Sequence, residues 1–184
     1  VIIIKRRLKM KKLLIVVDFQ NDFVDGALGF DGAENLDETI AEKIALRRKE
    51  GWNVAFTFDT HSDDYLSTQE GKNLPVAHCI KGTPGHELYG KVAKSVLKKD
   101  KLFYKPGFGS GELFEYLKNS EYEEVELAGL VSNICVLSNA VIAKTALPEA
   151  VITVDAKATD SFNKYLNEKA FDIMEGIQIN VINR

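Results

Sequence analysis

Apolar residues fall along this chain in short, dense runs, separated by stretches in which they recur every third or fourth position. The runs are residues 13–18 (LLIVVD), 53–59 (NVAFTFD), 102–105, 124–128, 151–155 and 178–182. Most lack the in–out alternation of a strand with one wet face, so they read as strands covered on both sides. The intervening spacing predicts helices. Ile40 and Ile44 sit one turn apart in a helix predicted over 34–50 and stopped by Gly51, and further helices are predicted over 86–97, 112–119, 133–146 and 165–174. About six strands with helical crossovers predict a three-layer α/β fold, a doubly wound open sheet of mostly parallel strands. Residues 11–184 read as one domain, and 1–10, which carry no periodicity, as an N-terminal extension.

In such sheets ligands bind beyond the carboxyl ends of the strands, near the point where strand order reverses. The residues at those ends are chemically pointed. Asp18 ends the first strand, Asp59 and His61 the second, Lys105 the third and Gly129 the fourth, with Cys135 six residues further on at the start of a helix. Taken singly, the Asp is an ordinary turn former, the Lys solvated surface and the Cys a small core residue. Together an acid, a cation and a thiol at one sheet edge form a nucleophilic set. A helix N-terminus and a nearby ammonium favour a thiolate, and a carboxylate takes the thiol proton and returns it to a leaving amine.

The segment after the second strand exceeds twenty residues without a clear element, which marks it as functional. It carries Asp59, His61, Glu70 and His78, a plausible first shell for Zn²⁺, Mn²⁺ or Fe²⁺, or equally a polar loop of caps and turns. The turn Gly107-Phe108-Gly109-Ser110-Gly111 joins a strand to a helix as a phosphate loop does. A dinucleotide fingerprint needs glycine at 112, where the chain has Glu112, and that carboxylate repels phosphate. There is no G-x-S-x-G elbow, because Phe108 stands two before Ser110.

Composition narrows the partners. The chain has 184 residues, 45% of them hydrophobic, and a formal net charge of −3 from 24 basic and 27 acidic residues spread among one another. That distribution argues against nucleic acid or an anionic membrane as partner. Two cysteines, Cys79 and Cys135, are too few to staple a domain of this size. With the four apolar residues at the N-terminus too short to be a signal or a membrane span, the expectation is a cytoplasmic protein.

The order and spacing of Asp18-Phe19-Gln20-Asn21-Asp22-Phe23, Asp59-Thr60-His61, His78-Cys79-Ile80-Lys81-Gly82-Thr83-Pro84-Gly85, Lys105 and Gly129-Leu130-Val131-Ser132-Asn133-Ile134-Cys135 resemble the isochorismatase-like cysteine hydrolases. That group includes nicotinamidases, isochorismatase and N-carbamoylsarcosine amidase, and the likeness runs from about 11 to 182. It implies a triad of Asp18, Lys105 and Cys135, and a cis peptide at Leu130-Val131 that turns the Val131 and Cys135 amides into an oxyanion hole. In the nicotinamidase branch, which this chain resembles most, it implies a divalent metal on Asp59, His61, Glu70 and His78, zinc first, with manganese or iron as alternatives. Phe23, Leu74, Phe108 and Leu130 become the substrate walls. The implied reaction is nicotinamide to nicotinate and ammonia through a thioester. The alternatives are another small amide, an isochorismate-type vinyl ether, or a non-catalytic binding module of the same fold. Two positions depart from the branch: Leu74 stands where an aromatic is usual, and Asn133 where Asp is frequent. Relatives of this kind suggest a dimer or tetramer.

Overall fold

Five consecutive residues, Leu13, Leu14, Ile15, Val16 and Val17, have no exposed surface. Burying one such side chain stabilises by about 1.5–3 kcal/mol, against about 1–2 kcal/mol for ordering a backbone unit, so this run belongs at the centre of the fold. The computed structural model describes residues 10–184 and places it there. Of the expected extension, residues 1–9 lie outside the described residues. In chain order the elements are β1 (Lys11–Val17), α1 (Asn21–Val24), α2 (Leu36–Lys49), β2 (Asn53–Asp59), α3 (Gln69–Asn73), α4 (Gly90–Lys94), β3 (Lys101–Lys105), α5 (Gly111–Lys118), β4 (Tyr122–Leu130), α6 (Leu137–Ala146), β5 (Val151–Asp160), α7 (Lys164–Gly176) and β6 (Asn180–Ile182).

The sheet order is β3-β2-β1-β4-β5-β6, and all five pairings are parallel. Alternate residues of β1 feed two cores. Leu13, Ile15 and Val17 pack with Leu113 and Leu117 of α5, Ala140 of α6 and Phe171 of α7. Leu14 and Val16 pack with Ile40 and Ile44 of α2 and Val92 of α4. The three-layer, doubly wound α/β architecture expected from the sequence is therefore present. Its strand order reverses between β1 and β4, whose carboxyl ends lie side by side. Among the described residues no helix is long and apolar enough to cross a membrane.

Three elements differ from expectation. The helix predicted over 86–97 is only the five residues of α4. Gly90 takes φ +53, a left-handed value that a right-handed helix cannot continue through, and Asp37 of α2 accepts from the Lys91 and Val92 amides at 2.9 and 3.0 Å instead. The helix predicted over 133–146 opens with a π-helical turn, Ser132–Val136, before α6 begins. The strand predicted over 151–155 runs on to Asp160. Its register with β4 shifts between Leu127 and Gly129, so Asp155, Ala156 and Lys157 break the apolar pattern without ending the strand.

Candidate active site

The reversal of strand order sets Asp18 beside the turn that carries Cys135. Gly129 allows the approach: it has φ +116, and a Cβ there would lie 2.0 Å from the Val17 carbonyl oxygen, so only glycine fits β4 this close to β1. Beyond it the Leu130-Val131 peptide is cis. The Val131 amide makes no hydrogen bond among the described residues. Cys135, 4% exposed, lies in the π-helical turn that follows.

Asp18 is wholly buried at φ +44 just past β1. Its Oδ1 accepts from Thr57 Oγ1 at 2.6 Å, and its Oδ2 lies 2.6 Å from Lys105 Nζ. Lys105, the last residue of β3, is buried too. Its ammonium donates to the Gly107 carbonyl at 2.9 Å and stands 3.6 Å from Cys135 Sγ and 3.5 Å from Asp59 Oδ1. The structure thus brings Asp18, Lys105 and Cys135 together.

Burial, then the neighbouring Asp18 charge, pushes the Cys135 thiol well up, and Lys105 offsets this only in part. Burial thus works against the thiolate that the nearby ammonium favours. Burial also raises the Asp18 carboxyl despite Lys105. Lys105 itself is raised: burial disfavours its charge, but Asp18, Cys135 and Asp59 outweigh that. A buried acid, a buried thiol and a firmly held ammonium are arranged for proton transfer within the group rather than with bulk water.

Asp59, His61, Glu70 and His78 also meet. One ligand atom from each lies within 4.8 Å of all the others. Asp59 Oδ2 is 3.0 Å from His61 Nε2 and 3.3 Å from His78 Nε2, and Glu70 Oε1 is 3.8 Å from both. His78 Nδ1 donates to the Val76 carbonyl at 2.7 Å, which turns its Nε2 toward Asp59 and Glu70. That backbone bond is how metal-binding imidazoles are commonly oriented. Two imidazole nitrogens and two carboxylates suit a divalent cation with positions to spare. For Asp59, burial alone would raise the carboxyl, but hydrogen bonds from His61 and His78 and the charge of Lys105 overcome it and hold the group well below the usual range. Burial, then Asp59, raises Glu70.

Cys135 of the first group and all four residues of the second line a cavity of about 1000 Å³, with Asp18 and Lys105 buried behind Cys135. Phe23, Leu74 and Phe108 line it, but Leu130 does not: its side chain is fully buried in the core beside α2. Leu130 contributes to the site through its cis peptide alone. Sequence reasoning missed Tyr65, Ile134 and Phe162 in the lining. Tyr65 sets its ring 4.6 Å from that of His61, tilted by 55°, and donates from its hydroxyl to the Leu74 carbonyl at 3.0 Å. Phe162 stands just past the end of β5 and was findable by the strand-end rule had that strand been read to Asp160. Gln20 was missed as well. Fully buried, it donates from Nε2 to the carbonyls of Asp59 and His86 at 3.0 and 2.8 Å and accepts from the Asp59 amide at 2.8 Å, tying the segment after β1 to the end of β2. Cys79 packs in the core beside α2.

The family model described as the isochorismatase domain matches residues 12–184. An isochorismatase family protein of Bacillus subtilis, PncA, is 32% identical over 166 residues, which cover 84% of this chain and 89% of that protein. The crystal structure of nicotinamidase PncA from Bacillus subtilis superposes with a TM-score of 0.82 at 31% identity, covering 94% of this chain and 99% of its own. That of a pyrazinamidase of Pyrococcus horikoshii in complex with zinc has a TM-score of 0.82 at 22% identity, covering 95% and 99%, a likeness of fold. The family model spans nearly the whole of the described chain, and the chain belongs to the isochorismatase family.

Proposed function

We propose that this family member, a hydrolase of carbon–nitrogen amide bonds, converts nicotinamide to nicotinate and ammonia with Cys135 as the nucleophile. The observation that carries the reading is the line Asp18 Oδ2–Lys105 Nζ–Cys135 Sγ, at 2.6 and 3.6 Å, whose Cys135 end lines the cavity that the Asp59, His61, Glu70 and His78 cluster also lines. The nicotinamidase from Bacillus subtilis with the same fold supports the substrate.

The chemistry follows from the geometry. The buried thiol passes its proton to the Asp18 carboxylate as sulfur attacks the amide carbon. The developing oxyanion lies against the Val131 and Cys135 amides. Asp18 returns the proton to the amide nitrogen, the C–N bond breaks, and ammonia leaves a thioester on Cys135. Asp18, again a carboxylate, takes a proton from water as it attacks the thioester. Collapse of that intermediate breaks the C–S bond, and the proton held on Asp18 returns to the sulfur as the acid departs. Lys105 holds Asp18 in place and offsets negative charge throughout. Asp59, His61, Glu70 and His78 would hold a divalent cation, zinc first, the metal present in the Pyrococcus horikoshii complex, with manganese or iron as alternatives. When bound, such a cation offers a coordination position to a ring nitrogen. Phe23 and Phe108 flank a flat ring, and the Leu74 side chain supplies an aliphatic wall where relatives carry an aromatic.

The test is ammonia release from nicotinamide by metal-analysed protein, with Cys135→Ala alongside. Release by the native chain alone supports nucleophile and substrate. Metal without release points to a different small amide, and neither metal nor release overturns both assignments.

A further inference from the structure

We propose that Asn139 is a positioning residue that fixes the cavity wall bearing Phe108 against the turn bearing Cys135. This rests on the cavity being the pocket of an aromatic-amide hydrolase. Asn139 lies on α6, one helical turn after Cys135, with no exposed surface. Asparagine is a poor helix former, and a buried amide destabilises unless its hydrogen bonds are made. Here they are made, and each goes to the site. Nδ2 donates to the Cys135 carbonyl at 2.8 Å and to the Phe108 carbonyl at 3.1 Å, and Oδ1 accepts from the Ser110 amide at 3.1 Å.

One side chain therefore joins two segments that are remote in sequence. The glycine-rich turn after β3, which has no phosphate to cradle, has two anchors. Lys105 holds Gly107 at one end, and Asn139 holds Phe108 and Ser110 at the other. Between them Gly109 lies against Ile142 and Ser138 of α6. The Phe108 side chain is half-exposed, so packing does not hold it from all sides, and the backbone anchors set where its ring stands. A substrate with a flat ring needs that wall. A small ring-free electrophile reaching Cys135 does not.

The test is Asn139→Thr. Its hydroxyl retains a bond to the carbonyl four residues back, that of Cys135, but cannot span to Phe108 or Ser110. Losing the two turn bonds is expected to raise KM for nicotinamide about tenfold with kcat within about threefold, and to speed hydrogen exchange at the Ser110 amide about tenfold. Alkylation of Cys135 by iodoacetamide stays within about twofold of the native rate, because the thiol and its neighbours are untouched. Should the threonine variant fail to fold, Asn139→Asp keeps the acceptor for Ser110 and loses both donors, and the same rise in KM is expected. Unchanged KM with unchanged Ser110 exchange overturns the proposal. So does a fall in kcat and in alkylation rate together at constant KM, which would make Asn139 a support of the nucleophile alone. If the native chain does not hydrolyse nicotinamide, the proposed function fails separately, and Ser110 exchange then decides whether Asn139 holds the turn.

Discussion

Replacing Thr57 with valine removes one hydroxyl and almost no volume from a fully buried site on β2. That hydroxyl donates to Asp18 Oδ1 at 2.6 Å and is one of the groups holding the carboxyl down against burial. A hydrogen bond to a charged group contributes about 1.5–3 kcal/mol, so Thr57→Val raises the Asp18 carboxyl further. The sign on activity follows from the role of Asp18 as base. It must be ionised to take the thiol proton, so the acid limb of kcat/KM moves to higher pH, and about 1.4 kcal/mol is tenfold. On that limb the variant loses about ten- to hundredfold, and on the plateau it loses little. The sign on stability is linked. In the folded chain the Asp18 carboxyl is already raised above its free value, so the ionised form is the costly one. The variant's deficit of about 1.5–3 kcal/mol is therefore full above that carboxyl's pKa and shrinks as pH falls through it. The assays are ammonia release against pH and denaturant unfolding at two pH values. A folded variant whose pH profile superimposes on the native one would refute Asp18 as the base.

Three further outcomes follow from the same geometry. His61→Ala and His78→Ala each lower bound metal and nicotinamide turnover by more than about tenfold, and chelation followed by zinc restores the native chain but neither variant; elemental analysis and ammonia release check this. Lys43→Ala destabilises by about 3 kcal/mol in denaturant unfolding, because Lys43 lies 2.6 Å from both Glu126 and Asp155, while Arg47, also 2.6 Å from Glu126, keeps the loss at the low end for a broken buried pair. Gly129→Ala costs more than about 3 kcal/mol, since its Cβ meets the Val17 carbonyl and its φ is left-handed; a melting temperature close to native would count against the close approach of β1 and β4.

Much of this was legible along the chain, and what was not has physical causes. β1 and β2 show themselves because burial on both faces leaves unbroken apolar runs, and the strand-end rule then finds Asp18, Asp59, Lys105 and the Cys135 turn. α4 was over-read because Leu88, Val92 and Val96 keep helical spacing while Gly90, left-handed, stops the helix from starting sooner. β5 was under-read because Asp155 and Lys157 are polar, and with its true end went Phe162. Gln20 and Asn139 were invisible for another reason. A buried amide is defined by the partners it meets, and theirs lie on segments distant in sequence. The family resemblance points to Leu130 as a wall, but its side chain is buried in the core.

Lys105 explains why the two halves of the site share one sheet edge. Its ammonium stands 2.6 Å from Asp18, 3.5 Å from Asp59 and 3.6 Å from Sγ, so one cation faces the acid of the triad and an acid of the candidate metal cluster at once. Two carboxylates, Asp18 and Asp59, face that single ammonium, and Glu70 stands 3.8 Å from both imidazoles of the cluster. Buried charge persists only when paired, and a divalent cation held by Asp59, His61, Glu70 and His78 would supply that balance. The same demand explains lysine rather than arginine. A compact ammonium on a flexible stem reaches Asp18, Asp59 and the Gly107 carbonyl in different directions, whereas the planar fork of a guanidinium suits a single carboxylate.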